Sequence, residues 1–313
     1  MDTLLILLIL LVALAIDMVL GELPRLIHPV VWVGKVTSFL ERGCAGRARL
    51  VQFIYGVGMV LLLVGLFAAS TYFILFYLKS LHFIAYLIIG AVLLKSTFSL
   101  RELRGAALRV KGLLLRKELE EAHYELRSLV SRDTRGLPES LVVSATVESL
   151  AENMCDSFVA PLFYFLLLGV PGAVAYRVVN TMDAMIGYHG EYEYSGKFAS
   201  RLDDVLNFIP ARLTALLLVS GSFILRRGAR ASWQVALNEH TKTESPNAGW
   251  AMAAMAGALN VQLEKVGHYK LGKQGAPLIP GTIDASLQLI QIAGLIWVII
   301  CFIAGGIFFA VTT

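Results

Sequence analysis

The chain has 313 residues, of which 57% are hydrophobic and 16% charged, with a formal net charge of +4. Ordinary soluble domains are roughly 45–50% apolar and 25% charged, so this composition excludes a soluble globular domain and points to a membrane protein. The modest charge, with no basic patch interleaved with aromatics, excludes a dedicated nucleic-acid binder. Cys44, Cys155 and Cys301 show no C-x-x-C pairing, which excludes a disulfide framework or a zinc site.

Residues 1–22 lack the basic start of a signal peptide, carrying Asp2 instead, and are expected to remain as a first span. A bilayer-crossing helix needs about 20 apolar residues. Stretches 3–20, 53–78, 82–98 and 285–311 meet that need. Two others are doubtful: 158–176 contains Pro161, Gly169 and Pro171, and 208–225 contains Pro210 and Arg212. Proline removes a backbone donor that must be compensated at membrane depth. The predicted fold is therefore all-α and polytopic, with four to six membrane-embedded helices plus cytoplasmic helical segments. It is read as a single integrated domain. Residues 1–98 hold the first three spans, 99–157 a charged helical segment, 158–284 a polar core with the doubtful spans, and 285–313 the last span. Basic residues crowd segments 21–52, 99–157 and 226–284, which places them on the cytoplasmic side. Segment 177–207 is expected on the same face, with neither doubtful run crossing.

Four polar constellations interrupt this apolar chain. In TVESLAENMCDS, Glu148, Glu152 and Asp156 recur every four residues and would stack on one helix face. Asn153 and Ser149 add further oxygens. Like charges at that spacing repel, and stacked hard oxygens suit Mg²⁺. In YRVVNTMDAMIGY, Arg177, Asn180 and Asp183 share one arc, and ionisable groups near membrane depth usually serve function. In ASRLDDVLNFIPARL, Asp203 and Asp204 are flanked by Arg201, Asn207 and Arg212. In KTESPNAGWAMAAMAGAL, a Ser-Pro-Asn-Ala-Gly turn precedes a small-residue helix whose free N-terminal amides could meet an anion. GHYKLGKQ (267–274) nearly fits a Walker loop. Gln274 replaces the required hydroxyl, no helix can open at GAPLIPG, and no clear strand precedes it, so a Walker site is rejected.

These blocks resemble the CobD/CbiB family of cobalamin biosynthesis. The resemblance is carried by VESLAENMCDSFVAPLFYFLLLGVPGAVAYRVVNTMDAMIGY, SGKFASRLDDVLNFIPARLTALLL and SPNAGWAMAAMAGALNVQL, with GELPRLIHPVVWVGK and SRDTRGL before them. It runs nearly the full length in the expected order. Ser200 stands where a second small residue such as alanine is expected. Gly21-Glu22 replaces an expected Gly-Asp-Pro, which weakens Glu22 as a site residue.

The resemblance implies a multi-pass enzyme of the cell membrane, with its active site on the cytoplasmic side. It implies amide formation between adenosylcobyric acid and (R)-1-aminopropan-2-ol phosphate, or aminopropanol, with ATP as co-substrate and Mg²⁺. Other late cobalamin-pathway membrane enzymes are implied as partners, beside the lipid bilayer. On this basis Glu148, Glu152, Asp156, Asp183, Asp203 and Asp204 are the expected catalytic carboxylates, with Glu152, Asp156, Asp183 and Asp203 holding the metal. Arg177, Arg201 and Arg212 are expected to bind phosphate. Asn153, Asn180, Asn207, Ser245 and Asn247 would position substrate, and His28 would carry a proton. The alternatives are a Mg-dependent prenyl or CDP-alcohol transferase, which would need D-x-x-x-D spacing, and a corrinoid transporter, which would need charged spans and inverted halves.

Overall fold

The computed structural model describes residues 2–44, 46–130, 132–188, 190 and 193–312. The helices run α1 (Asp2–Val19), α2 (Pro29–Leu40), α3 (Arg49–Leu81), α4 (Phe83–Lys95), α5 (Leu100–Leu115), α6 (Leu119–Leu126) and α7 (Glu139–Met154). A π turn, Cys155–Val159, leads into α8 (Ala160–Ile186), followed by α9 (Lys197–Leu206), α10 (Phe208–Ile224), α11 (Ala229–Glu239) and α12 (Ala248–Leu259). A hairpin, β1 (Leu263–Lys265) and β2 (Tyr269–Leu271), precedes α13 (Pro280–Thr312). The all-α prediction holds, with that short antiparallel ladder as its exception among the described residues.

By length and composition, four helices can cross a membrane: Arg49–Leu81, Phe83–Leu115, Glu139–Ile186 and Pro280–Ile307. The expected first span, at Leu4–Val19, is a shorter apolar helix. Residues 158–176 fall inside one of the four long helices, whereas the sequence reading kept them out of the bilayer. Residues 208–225 qualify only together with α9, as a broken pair. Leu61, Phe73, Phe76 and Ile303 are among many large apolar side chains left exposed on these helices. A water-soluble protein would bury such a surface.

Two compact units are built from interleaved stretches of chain. One holds residues 1–99, 160–206 and 301–313; the other holds 100–159 and 207–300. In the first, α1 packs on α4, and α8 packs on α2, α3, α4 and α9. Helix α8 is broken at Gly169, whose φ of 68° and ψ of −164° suit glycine alone, two residues before Pro171. The break is followed by stacking of Tyr164 on Tyr176, with centroids 5.2 Å apart. Gly196 then brings the start of α9 against the end of α8: a Cβ there would stand 1.6 Å from the Ile186 carbonyl oxygen.

In the second unit, α7 is wrapped by α5, α6, α12 and β1, and Val142–Ala151 is buried throughout. Helix α12 is AGWAMAAMAGAL, and its small residues let α11 approach closely. A Cβ on Gly257 would meet Ala231 O at 2.6 Å, and Ser232 Oγ donates to Ala254 O at 2.8 Å. Part of α13 is tied in by Lys111 to Asp284 (2.7 Å) and by Arg227 to Gln288 (2.8 Å).

Candidate active site

The second unit contains a cleft of about 250 Å³ between α7, the residues leading into α12, and the hairpin. Its polar lining includes Arg132, Glu148, Glu152, Ser245, Lys265 and Tyr269. Glu148 is 4% exposed. Ser144 Oγ donates to its Oε1 at 2.7 Å. Tyr269 Oη donates to its Oε2 at 2.8 Å, and Arg132 Nη2 approaches the same atom at 3.4 Å. Burial first, then the charge and hydrogen bond of Glu148, push the Tyr269 phenol well above its ordinary range. Tyr269 is therefore a permanent donor. Both oxygens of Glu148 are engaged by protein donors, so it anchors one side of the cleft.

Glu152, one turn on, lines the cleft and is partly exposed. Asp156 lies outside that lining. The π turn widens the helix at Cys155–Val159, so the four-residue register that would align Asp156 with Glu148 and Glu152 ends there. Asn153 is bound into the helix: its Nδ2 donates to Ser149 O (3.0 Å) and Oγ (3.1 Å), and its Oδ1 accepts from Ser157. Asn207 accepts a thiol contact from Cys155 at 3.8 Å.

The turn into α12 is self-capped. Ser245 Oγ accepts from the amides of Asn247 (3.2 Å) and Ala248 (3.4 Å). Asn247 Oδ1 accepts from Arg212 Nη1 at 3.3 Å, which also donates to Phe208 O at 2.6 Å. The Arg212 guanidinium lies 3.6 Å from the Phe208 ring centroid and 5.0 Å from that of Trp250. Arg212 thus stacks on Phe208 and ties α10 to the α12 turn.

In the first unit, Arg177, Asn180 and Asp203 form a chain. Arg177 Nη1 donates to Asn180 Oδ1 at 3.1 Å, and Asn180 Nδ2 donates to Asp203 Oδ1 at 3.3 Å. Asp183 is hydrogen-bonded by Ser200 and is close enough to Asp204 for their charges to interact. Arg201 is exposed and reaches Asp204 at 3.5 Å. The structure therefore brings Arg177, Asn180, Asp183, Arg201, Asp203 and Asp204 together on α8 and α9. Here Ser200, the departure from the small residue expected, is a working hydrogen-bond donor.

His28, expected to carry a proton, caps α2: its Nδ1 accepts from Val30 N at 3.2 Å, and its Nε2 bonds Glu22. Glu22 also accepts from Lys95 Nζ at 3.2 Å. Lys95 has no exposed side-chain surface and lies 3.4 Å from Asp17. This buried group went unnoticed in the sequence because Lys95 ends an apolar run.

Among the described residues, no three His, Cys, Asp or Glu side chains gather as a metal-holding group. The rejected Walker loop is a hairpin turn, with Gly267 and Gly272 at φ of 79° and 81°. A strand, β1, does precede it, contrary to expectation, but it leads to β2 and no helix. Arg132, Lys265 and Tyr269 were missed as site residues. The one available signal was Arg132 within SRDTRGL, whose Ser131 lies outside the described residues.

Residues 10–309 match the family described as CobD/Cbib protein. This chain belongs to the CobD/CbiB family. It is 53% identical over 305 residues to "Cobalamin biosynthesis protein CobD" of Dehalococcoides mccartyi, covering 97% of this chain and 98% of that one. It is 43% identical over 265 residues to "Probable cobalamin biosynthesis protein CobD" of Methanothermobacter thermautotrophicus, covering 84% and 86%. A Methanocaldococcus jannaschii protein of the same name is 40% identical over 273 residues, covering 84% and 87%. No solved structure matches.

Proposed function

We propose that the chain is an adenosylcobinamide-phosphate synthase, an ATP-dependent ligase. It would join a carboxylate of adenosylcobyric acid to the amine of (R)-1-aminopropan-2-ol phosphate, or of aminopropanol. The observation that best supports this is a cleft in which the carboxylate Glu152 stands with two cations, Arg132 and Lys265, beside the hydrogen-bonded Glu148 and the exposed Glu244. A carboxylate and an amine do not condense in water, so the acid must be activated. Transfer of the ATP γ-phosphoryl group to the carboxylate oxygen gives an acyl phosphate and ADP. The amine then attacks the carbonyl carbon, the C–N bond forms, and the C–O bond to phosphate breaks. The amine's proton goes to Glu152, whose partial exposure lets it exchange that proton with water.

Mg²⁺ is taken by one or two carboxylates together with substrate phosphates and water. Asp183 and Asp204, whose charges already interact, have that donor chemistry and would hold it; when bound, the ion neutralises phosphoryl charge. Asp203 and Asn180 hold Arg177 in the same cluster. ATP is cytosolic, which puts the reacting face on the cytoplasmic side. Membranes bearing the protein, given adenosylcobyric acid, aminopropanol phosphate and ATP, should yield adenosylcobinamide phosphate and ADP in equal amounts. Absence of the corrinoid amide would reject the reaction.

A further inference from the structure

We propose that Arg132 and Lys265, with the Ser245 hydroxyl, form an oxyanion subsite in the cleft for the phosphoryl group of a small phosphate ester. This rests on the reaction proposed above and adds where one phosphorylated reactant is held. Neither cation was among the phosphate-binding residues expected from the sequence.

Three observations carry it. Lys265 lines the cleft half-buried, and among the described residues its ammonium has no hydrogen-bond or ion-pair partner. A partly desolvated charge without a counter-charge is unfavourable unless a ligand supplies one. Arg132 uses Nη2 on Glu148, while its Nε is buried without an acceptor. Glu148 is already satisfied by Ser144 and Tyr269. It thus anchors one edge of the guanidinium and leaves the other donors for a ligand. Ser245 Oγ accepts two amide hydrogens at the start of α12, so its own hydrogen remains available to donate.

Size and charge narrow the ligand. A cleft of about 250 Å³ accommodates a phosphoryl group on a short chain and is far too small for a corrinoid macrocycle. Glu244 is exposed and paired with His268 at 2.9 Å, and Glu152 lines the same cleft, where its carboxylate suits the cationic amine end of a zwitterion. A neighbouring surface hollow shares Val130 and Arg132 with the cleft and adds Arg127 and an Arg135–Asp133 ion pair, a net positive approach for an anion. The phosphoryl group could belong to the amino-alcohol phosphate or to the nucleotide.

The test is calorimetric titration of the purified full-length protein in detergent with O-phosphoethanolamine, ethanolamine and ADP. At least one phosphorylated probe should bind, and ethanolamine should bind far more weakly. Lys265→Met should weaken the phosphorylated probe by about ten- to a hundredfold, the scale of a charge-assisted contact; the probe that weakens names the source. Arg132→Met strands Glu148 and can fail to fold, so Lys265→Met and Ser245→Ala carry the decision. Unchanged affinity in folded Lys265→Met, equal binding of ethanolamine, or no binding of either phosphorylated probe overturns the subsite. If phosphoethanolamine binds through Lys265 but membranes make no amide, the reaction is wrong and the subsite stands. If the amide forms with unchanged KM values in Lys265→Met, the reaction stands and the subsite is wrong.

Discussion

Tyr269 Oη donates to Glu148 Oε2 at 2.8 Å, joining a two-stranded hairpin to the buried helix α7 across 121 residues of sequence. A two-stranded ladder is marginal by itself, so this bond and the Ser144 contact to Glu264 N at 2.7 Å fix where the hairpin sits. Tyr269→Phe keeps the ring and removes the donor. The expected loss is about 1–3 kcal/mol, the cost of leaving a buried carboxylate oxygen underpaired. Thermal unfolding in detergent should show it, and Tyr269→Phe with wild-type stability would mean that the bond contributes nothing.

Glu148 and Glu152 are one turn apart and should fail in different ways. Glu148→Gln replaces an acceptor that three donors already use, so its main effect should be lower stability. Glu152→Gln should leave the unfolding temperature nearly unchanged and cut kcat by about 10²–10⁴-fold, the usual worth of a positioned acid or base. Measuring both quantities on both variants separates the roles. Equal losses of kcat at wild-type stability would show that the two carboxylates work together.

How much of this could be read from the residues depends on distance along the chain. Apolar runs of span length are local, and they predicted helices that exist. The three-residue spacing of Arg177, Asn180 and Asp183 likewise placed them on one face of α8. That Asn180 should bond Asp203 was not legible, because it depends on the close approach at Gly196. Four-residue stacking of Glu148, Glu152 and Asp156 assumed an unbroken α-helix, and the π turn at Asp156 carries no obvious sequence signal. Tyr269 sat inside the stretch 267–274, read only as a rejected phosphate loop, and Lys265 lay just before it. Their partners lie across the fold, where periodicity says nothing.

Gly196 is the hinge point of the α8–α9 cluster. Its missing Cβ would stand 1.6 Å from Ile186 O, a backbone atom that cannot rotate away. Gly196→Ala must therefore push α9 off α8, at a cost of about 3 kcal/mol or more. The Asn180–Asp203 bond should lengthen with it, so turnover should fall along with stability. Gly58→Ala, where a Cβ meets nothing within 4 Å, is the control, and equal behaviour of the two variants would refute the close-packing account.

Lys95 Nζ donates to Glu22 Oε2 at 3.2 Å and to Phe98 O at 3.1 Å, and forms an ion pair with Asp17 at 3.4 Å. Lys95→Met would leave Asp17 buried beside Glu22 without a cation. Breaking a buried ion pair from one side costs about 3–5 kcal/mol. The double variant Lys95→Met, Asp17→Asn removes a stranded charge as well and should regain part of that loss. A double variant no better than the single one would show that packing, not charge, was lost.

Glu22 makes this corner of the protein sensitive to acid. Burial raises its pKa, but the hydrogen bond with His28 and the charge and hydrogen bond of Lys95 outweigh it, so the carboxyl is held below its ordinary value of 4.5. A group whose pKa is depressed on folding adds stability above its unfolded value and loses it as pH falls through the folded one. Unfolding temperature should therefore drop as pH falls below about 4.5. Glu22→Gln should be less stable at neutral pH and should lose less between neutral pH and pH ~4, because it has no proton to take up in that window. Parallel curves for the two proteins across that window would show that another carboxylate sets the acid limit.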